Sequence, residues 1–210
     1  MDYDQQYYLI VENTCSGAFM LGESQKSDKD LRLLAERSIK RYVKGRGHVH
    51  LTMGDESQFS PCDYHWVIPA GVVSYRFKEV LEKFDLQGVD FYETDIENNG
   101  RVWSDHYLVH IWHNYRVIHQ GRSKIKGSYI DNDFVLEKLS LDEKVLDNVP
   151  LEERLVFRLN EAVKYLYHES VVAEFKAAGL TGMDFIKVRD WSIGGAFTSV
   201  DEENDFYDDL

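Results

Sequence analysis

His106, His110, His113 and His119 fall within fourteen residues, with His48-x-His50 and Cys62-x-x-His65 upstream. Imidazole and thiolate at such spacings are the donors a zinc ion takes. On an extended strand, however, His106 and His110 share one face and His113 takes the other, so the local cluster does not converge without a bulge. The expectation is therefore ordinary, hydrogen-bonded histidines, with no metal and no cofactor. A nucleophile elbow of the Gly-x-Ser-x-Gly type is missing, and Gly45-Arg-Gly47 and Gly194-Gly195 lack the flanks of a phosphate-binding loop. Glu93 and Asp95 stand at strand spacing on one face, as an acid/base pair could. In a chain with 37 acidic residues they read more simply as solvent-exposed carboxylates.

The 24 basic residues leave a formal charge of -13, which repels a phosphate backbone and excludes nucleic acid as a natural partner. No apolar run reaches the length of about 18 residues that a membrane span needs, and the opening Met1-Asp-Tyr-Asp is acidic where a secretory signal is positive. With two cysteines, Cys15 and Cys62, both read as ordinary thiols, these features predict a cytoplasmic protein. The 13 tyrosines, 11 phenylalanines and four tryptophans exceed the needs of one core, so some serve the surface. Asp63-Tyr-His-Trp66 and Asp205-Phe-Tyr-Asp208 set aromatics beside carboxylates, a combination suited to gripping a basic protein. The candidate contacts are Tyr64, Trp66, Asp201, Glu202, Glu203, Asp205, Tyr207, Asp208 and Asp209.

The elements that must position these residues contain a recurrence. Phe77, Val80, Leu81 and Phe84 follow helical spacing and lead to Leu86-Gln-Gly-Val-Asp-Phe91; 94 positions on, Val171, Val172, Phe175 and Ala178 lead to Leu180-Thr-Gly-Met-Asp-Phe185. Gly179 suits a left-handed helix end, where the first copy has Asp85, and Gly88 and Gly182 mark the turns into strands. The spacing predicts strands at Tyr7–Val11, His48–Thr52, Val135–Leu139 and Leu155–Leu159. Asn98-Asn-Gly100 predicts a hairpin between Val89–Ile96 and Arg101–Trp112, continued as a three-stranded meander by Tyr115–His119. A helix is expected from Asp28 or Asp30 toward Lys44, with Leu31, Leu34, Ala35 and Tyr42 on one face and Lys29, Arg32, Arg37, Lys40, Arg41 and Lys44 as a solvated basic face. The predicted class is α+β, with a mainly antiparallel sheet and two similarly placed helix-turn-strand units near 66–96 and 160–191, consistent with internal duplication. Residues 1–200 are expected to form one domain, followed by an acidic tail, 201–210.

Trp66-Val-Ile-Pro-Ala-Gly-Val-Val-Ser74, Leu86-Gln-Gly88, Val156-Phe-Arg-Leu159 and Ala178-Gly-Leu-Thr-Gly-Met-Asp-Phe185 resemble the bacterial polymorphic-toxin immunity family of the immunity-protein-eleven type. The resemblance covers roughly residues 60 to 191 and rests on structural motifs. It implies a stoichiometric, non-enzymatic inhibitor that binds a cognate toxin, and it carries over no catalytic residue. The alternatives are a histidine-dependent hydrolase or metalloprotein, which a metal assay would separate, and a non-catalytic adaptor of a secretion system, which the neighbouring reading frame would separate.

Overall fold

The computed structural model describes residues 2–13, 19–131 and 133–194. In chain order these form α1 (Tyr3–Gln6), β1 (Tyr7–Glu12), β2 (Met20–Glu23), β3 (Gly47–Met53), β4 (Tyr64–Val67), β5 (Ala70–Ser74) and α2 (Tyr75–Glu82). There follow β6 (Val89–Asn98), β7 (Arg101–Ile111), β8 (Asn114–Tyr115), β9 (Lys124–Ser128), β10 (Asp133–Lys138) and α3 (Glu143–Leu146). The last elements are β11 (Val156–Leu159), β12 (Tyr165–His168), α4 (Glu169–Ala177) and β13 (Met183–Lys187).

Asn99 and Gly100 both take positive φ, 49° and 81°, which supplies the paired left-handed residues of a tight hairpin between β6 and β7. This hairpin is the centre of a six-stranded sheet of order β2-β3-β6-β7-β5-β4. A second, five-stranded sheet has the order β13-β1-β12-β11-β8. Most pairings are antiparallel, as an α+β protein with a mainly antiparallel sheet requires; β3 on β6 and β8 on β11 are parallel.

The two sheets repeat one arrangement. In the first, β5 pairs with β7 through Ser74↔His106, and β7 pairs with β6 through Tyr107↔Glu93, Val109↔Phe91 and Ile111↔Val89. In the second, β12 pairs with β1 through His168↔Tyr7, and β1 pairs with β13 through Tyr8↔Lys187, Ile10↔Phe185 and Glu12↔Met183. Every residue of the helix-bearing unit is displaced by 94 positions, and β1 takes the place of β7. Each helix starts directly from the end of its strand: Ser74 Oγ accepts from Phe77 N at 3.2 Å, and His168 Nδ1 accepts from Ser170 N at 3.3 Å. The turns that follow use Gly88 at φ +83° and Gly182 at φ +85°, with Asp85 at +47° and Gly179 at +60° ending the helices.

Both helices lie in one apolar core between the sheets, to which Val73 and Val109 contribute from one side and Val156 and Tyr167 from the other. Phe77 and Phe175 stack across the helix pair with ring centres 4.4 Å apart. Asp63, buried just before β4, ties the units together: its carboxylate accepts from Ser74 Oγ (2.6 Å), Arg76 Nη1 (3.1 Å) and Thr181 N (2.8 Å). Separate apolar clusters fill the outer faces. Leu33 and Ile39 cover the six-stranded sheet, and Leu139, Leu141 and Leu146 cover the other.

Two expectations are corrected. Residues 28–44 form turns and no helix. The Asp28 carboxylate accepts from the backbone of Asp30, Lys44 and Gly45, closing the segment into a strap, and these three donors hold its pKa below the usual carboxylate value. The apolar residues it buries are Leu33 and Ile39, while Leu34 and Tyr42 face solvent. The third strand of the meander also fails: β8 is two residues long and leaves the hairpin to pair with β11 in the other sheet, Arg158↔Asn114.

Candidate functional site

Where the second half of β1 passes β4 and β12, the sheets part and leave a groove of about 420 Å³. Its floor is aromatic. Tyr64 and Tyr167 are almost fully buried there, and burial pushes both phenols well above their ordinary pKa. Tyr165 stands beside them, its hydroxyl donating to the Pro69 carbonyl at 2.6 Å and its pKa pushed up to about 12 by burial. That bond joins the tip of the β4–β5 hairpin to the start of β12. Trp66 on the edge strand β4 and Trp191 beyond β13 line the groove as well, with Trp66 edge-on to Tyr165 at 6.0 Å. Val163 and Ile193, both exposed, line it as well.

Two charged side chains line the cavity. Glu12 lies toward His65, whose Nε2 accepts from Cys62 N at 2.8 Å; the imidazole proton is thereby assigned to Nδ1, which faces Glu12 Oε1 at 3.3 Å. Lys164 lies toward Trp191, its Nζ 5.0 Å from the centre of the ring. Desolvation alone lowers the lysine's pKa, and among the described residues no carboxylate is within ion-pair distance of it. The groove can thus grip an apolar segment through rings and orient it through a cation.

Of the residues singled out from the sequence, Trp66 lines the groove. Tyr64 lies deeper, in the core with its ring 6.1 Å from Phe77. Asp201, Glu202, Glu203, Asp205, Tyr207, Asp208 and Asp209 lie outside the described residues. Val163, Lys164, Tyr165, Trp191 and Ile193 escaped the sequence reading because they come from two separate segments, one at the start of β12 and one after β13, that β1 brings together. Their one local signal is an isoleucine set beside Gly194-Gly195.

The histidines are only partly satisfied in the fold: the Nδ1 atoms of His106, His110, His113 and His119 are buried without a hydrogen-bond partner among the described residues. His110 is fully buried with Nε2 2.9 Å from the Ala35 carbonyl, and His113 Nε2 meets Tyr115 Oη at 2.9 Å. Burial lowers the pKa of His106 and His110. Among the described residues no group of three His, Cys, Asp or Glu is placed to hold a metal ion. Glu93 and Asp95 both pair with Arg46. Cys62 is disulfide-bonded, which corrects its reading as an ordinary thiol; Cys15 lies outside the described residues. No helix among the described residues is long and apolar enough to cross a membrane.

A search of curated proteins returns no match to the chain. A family model does match, over residues 20–190, and its description is "Immunity protein family (Imm11)". The match takes in both hairpin–helix–strand units and the strap between β2 and β3, so the chain belongs to the Imm11 immunity protein family.

Proposed function

We propose that this protein binds a cognate toxin of a polymorphic toxin system and neutralises it by forming a stoichiometric complex without catalysis of its own. Membership of an immunity protein family across residues 20–190 carries the reading. The groove supports it with the composition of a protein-binding surface, since large rings bring buried area at little entropic cost. Trp66 and the Tyr64 floor belong to the proposed contact, and the acidic residues from Asp201 to Asp209 form its second element. The net charge of -13 suits a toxin with a basic surface, because opposite potentials accelerate encounter. Residues 1–200 act in this reading as one folding unit, supported by the core that both sheets share.

The test is to purify the chain with the product of the neighbouring toxin gene and titrate one against the other. The expected result is a one-to-one complex that abolishes toxin activity. Its association rate falls as the Debye length shrinks from about 30 to 8 Å, while dissociation changes little. Inhibition that is catalytic in the immunity protein, or no complex at all, overturns the proposal.

A further inference from the structure

Lys164 stands in the groove without a described counter-ion, against the face of Trp191 and next to the buried Tyr165. A cation partly removed from water is costly unless an anion meets it, and the walls around it are mainly rings and aliphatic side chains, with Ser192 a small polar exception. The other charge in the groove, Glu12, is directed to His65, so it does not compete for the lysine. An isolated inorganic anion gains little from Trp66, Trp191 and Ile193. An acidic side chain between apolar neighbours satisfies both parts of the site at once.

We propose that the groove takes an acidic residue of an apolar segment of the partner toxin, its carboxylate on Lys164 and its flanking side chains against Trp66, Trp191 and Ile193. The inference deepens the toxin-binding reading. It assigns opposite signs to two ranges: the overall field draws a basic toxin, and the groove selects one carboxylate at contact.

The experiment uses the full chain and two blocked tripeptides, acetyl-Leu-Asp-Phe-amide and acetyl-Leu-Asn-Phe-amide, followed by calorimetry and by tryptophan fluorescence. The aspartate peptide is expected to bind about tenfold more tightly than its amide counterpart, as a hydrogen bond to a charged group implies. The preference disappears in Lys164→Met and persists in Lys164→Arg, with circular dichroism showing both variants folded. Equal binding of the two peptides, no binding at millimolar concentration, or a preference that survives Lys164→Met overturns the site. If binding tightens severalfold in a chain carrying Asp205, Asp208 and Asp209 each replaced by Asn, its own end competes for Lys164 and the assignment to a partner falls. A toxin complex unaffected by Lys164→Met, beside an intact peptide preference, removes the toxin as occupant. A toxin that ignores the wild-type chain overturns the proposed function alone, because the peptides read the groove without it.

Discussion

In the first hairpin–helix–strand unit β6 runs for ten residues and has a strand on each edge; in the second, β13 runs for five, pairs among the described residues with β1, and gives way to a 3-10 turn at Val188–Asp190. The inner registers are nevertheless the same, so the helix and the glycine turn that leads into its strand are what this sequence pattern encodes. What lies outside the pattern differs because other parts of the chain supply it. β7 reaches the first unit through a local hairpin, whereas β1 reaches the second from the far end of the sequence. The groove opens beside that imported strand. The groove thus lies between that strand and the edge strand β4 of the first unit, so both units contribute a margin to it.

The largest expected effect breaks the correspondence at its turn. Gly182 has φ +85°, and a Cβ there would lie 2.5 Å from the Tyr64 carbonyl oxygen and 2.6 Å from Cys62 Cβ. Left-handed strain and overlap with the backbone act together, so Gly182→Val should cost about 3 kcal/mol or more. Gly88→Val should cost a similar amount, because a Cβ at Gly88 would overlap His113 Cβ. Gly179 has φ +60° but nothing within 4 Å of an added Cβ, so Gly179→Ala pays only the conformational part, roughly 1 kcal/mol. Chemical denaturation of the three variants checks the order. Equal losses at Gly179 and Gly182 would show that close packing of the turn contributes nothing.

These glycines were legible from the sequence because helix spacing, a stop signal and a strand are all local. The hairpin at Asn99-Gly100 was legible for the same reason. The strap at 28–44 was not: its apolar spacing imitates a helix, but the outcome is decided by Asp28 reaching Lys44 and Gly45, and by the Ala35 carbonyl meeting His110. Both are contacts across long stretches of chain. The same limit hid the groove. Trp66 was found through its acidic neighbourhood, whereas Lys164 and Trp191 acquire their meaning only when β1 brings β12 and the segment after β13 to β4. The histidines show the same limit, since their types and spacing say nothing of the Ala35 carbonyl that His110 meets or the Tyr115 hydroxyl that His113 meets.

A smaller effect separates the two helix starts. Ser74 caps α2 with an oxygen that does not titrate in the accessible range, whereas His168 caps α4 with Nδ1. Desolvation holds the His168 pKa below its ordinary value. The folded chain therefore binds this proton less readily than the unfolded chain. The contribution is present above about pH 6.5 and is lost as pH falls below it. A protonated Nδ1 cannot accept from Ser170, so the start of α4 should lose about 1 kcal/mol of capping. His106 and His110 shift in the same direction and lower global stability too, so the comparison needs a local measurement. Amide exchange below pH 6.5 should rise in the first turn of α4 relative to that of α2. His168→Ser should remove the difference, and an unchanged ratio would show that the imidazole is not the cap.

The smallest effect makes the two units more alike. Asp85 ends α2 at φ +47°, the position that Gly179 occupies after α4. A side chain in the left-handed region costs about 1 kcal/mol, less for aspartate than for most residues. Glycine removes that strain but restores about 0.5 kcal/mol of freedom to the unfolded chain. The two terms oppose each other, and the difference leaves Asp85→Gly more stable by at most about 0.5 kcal/mol. Gly179→Asp should lose a similar amount, since nothing crowds the site and conformation alone is at stake. Thermal unfolding of the exchanged pair measures both. Opposite shifts of similar size would mean that the two helix ends are energetically equivalent. A destabilised Asp85→Gly would mean that the carboxylate contributes more at the end of α2 than left-handed strain removes, and the correspondence would then end at the backbone.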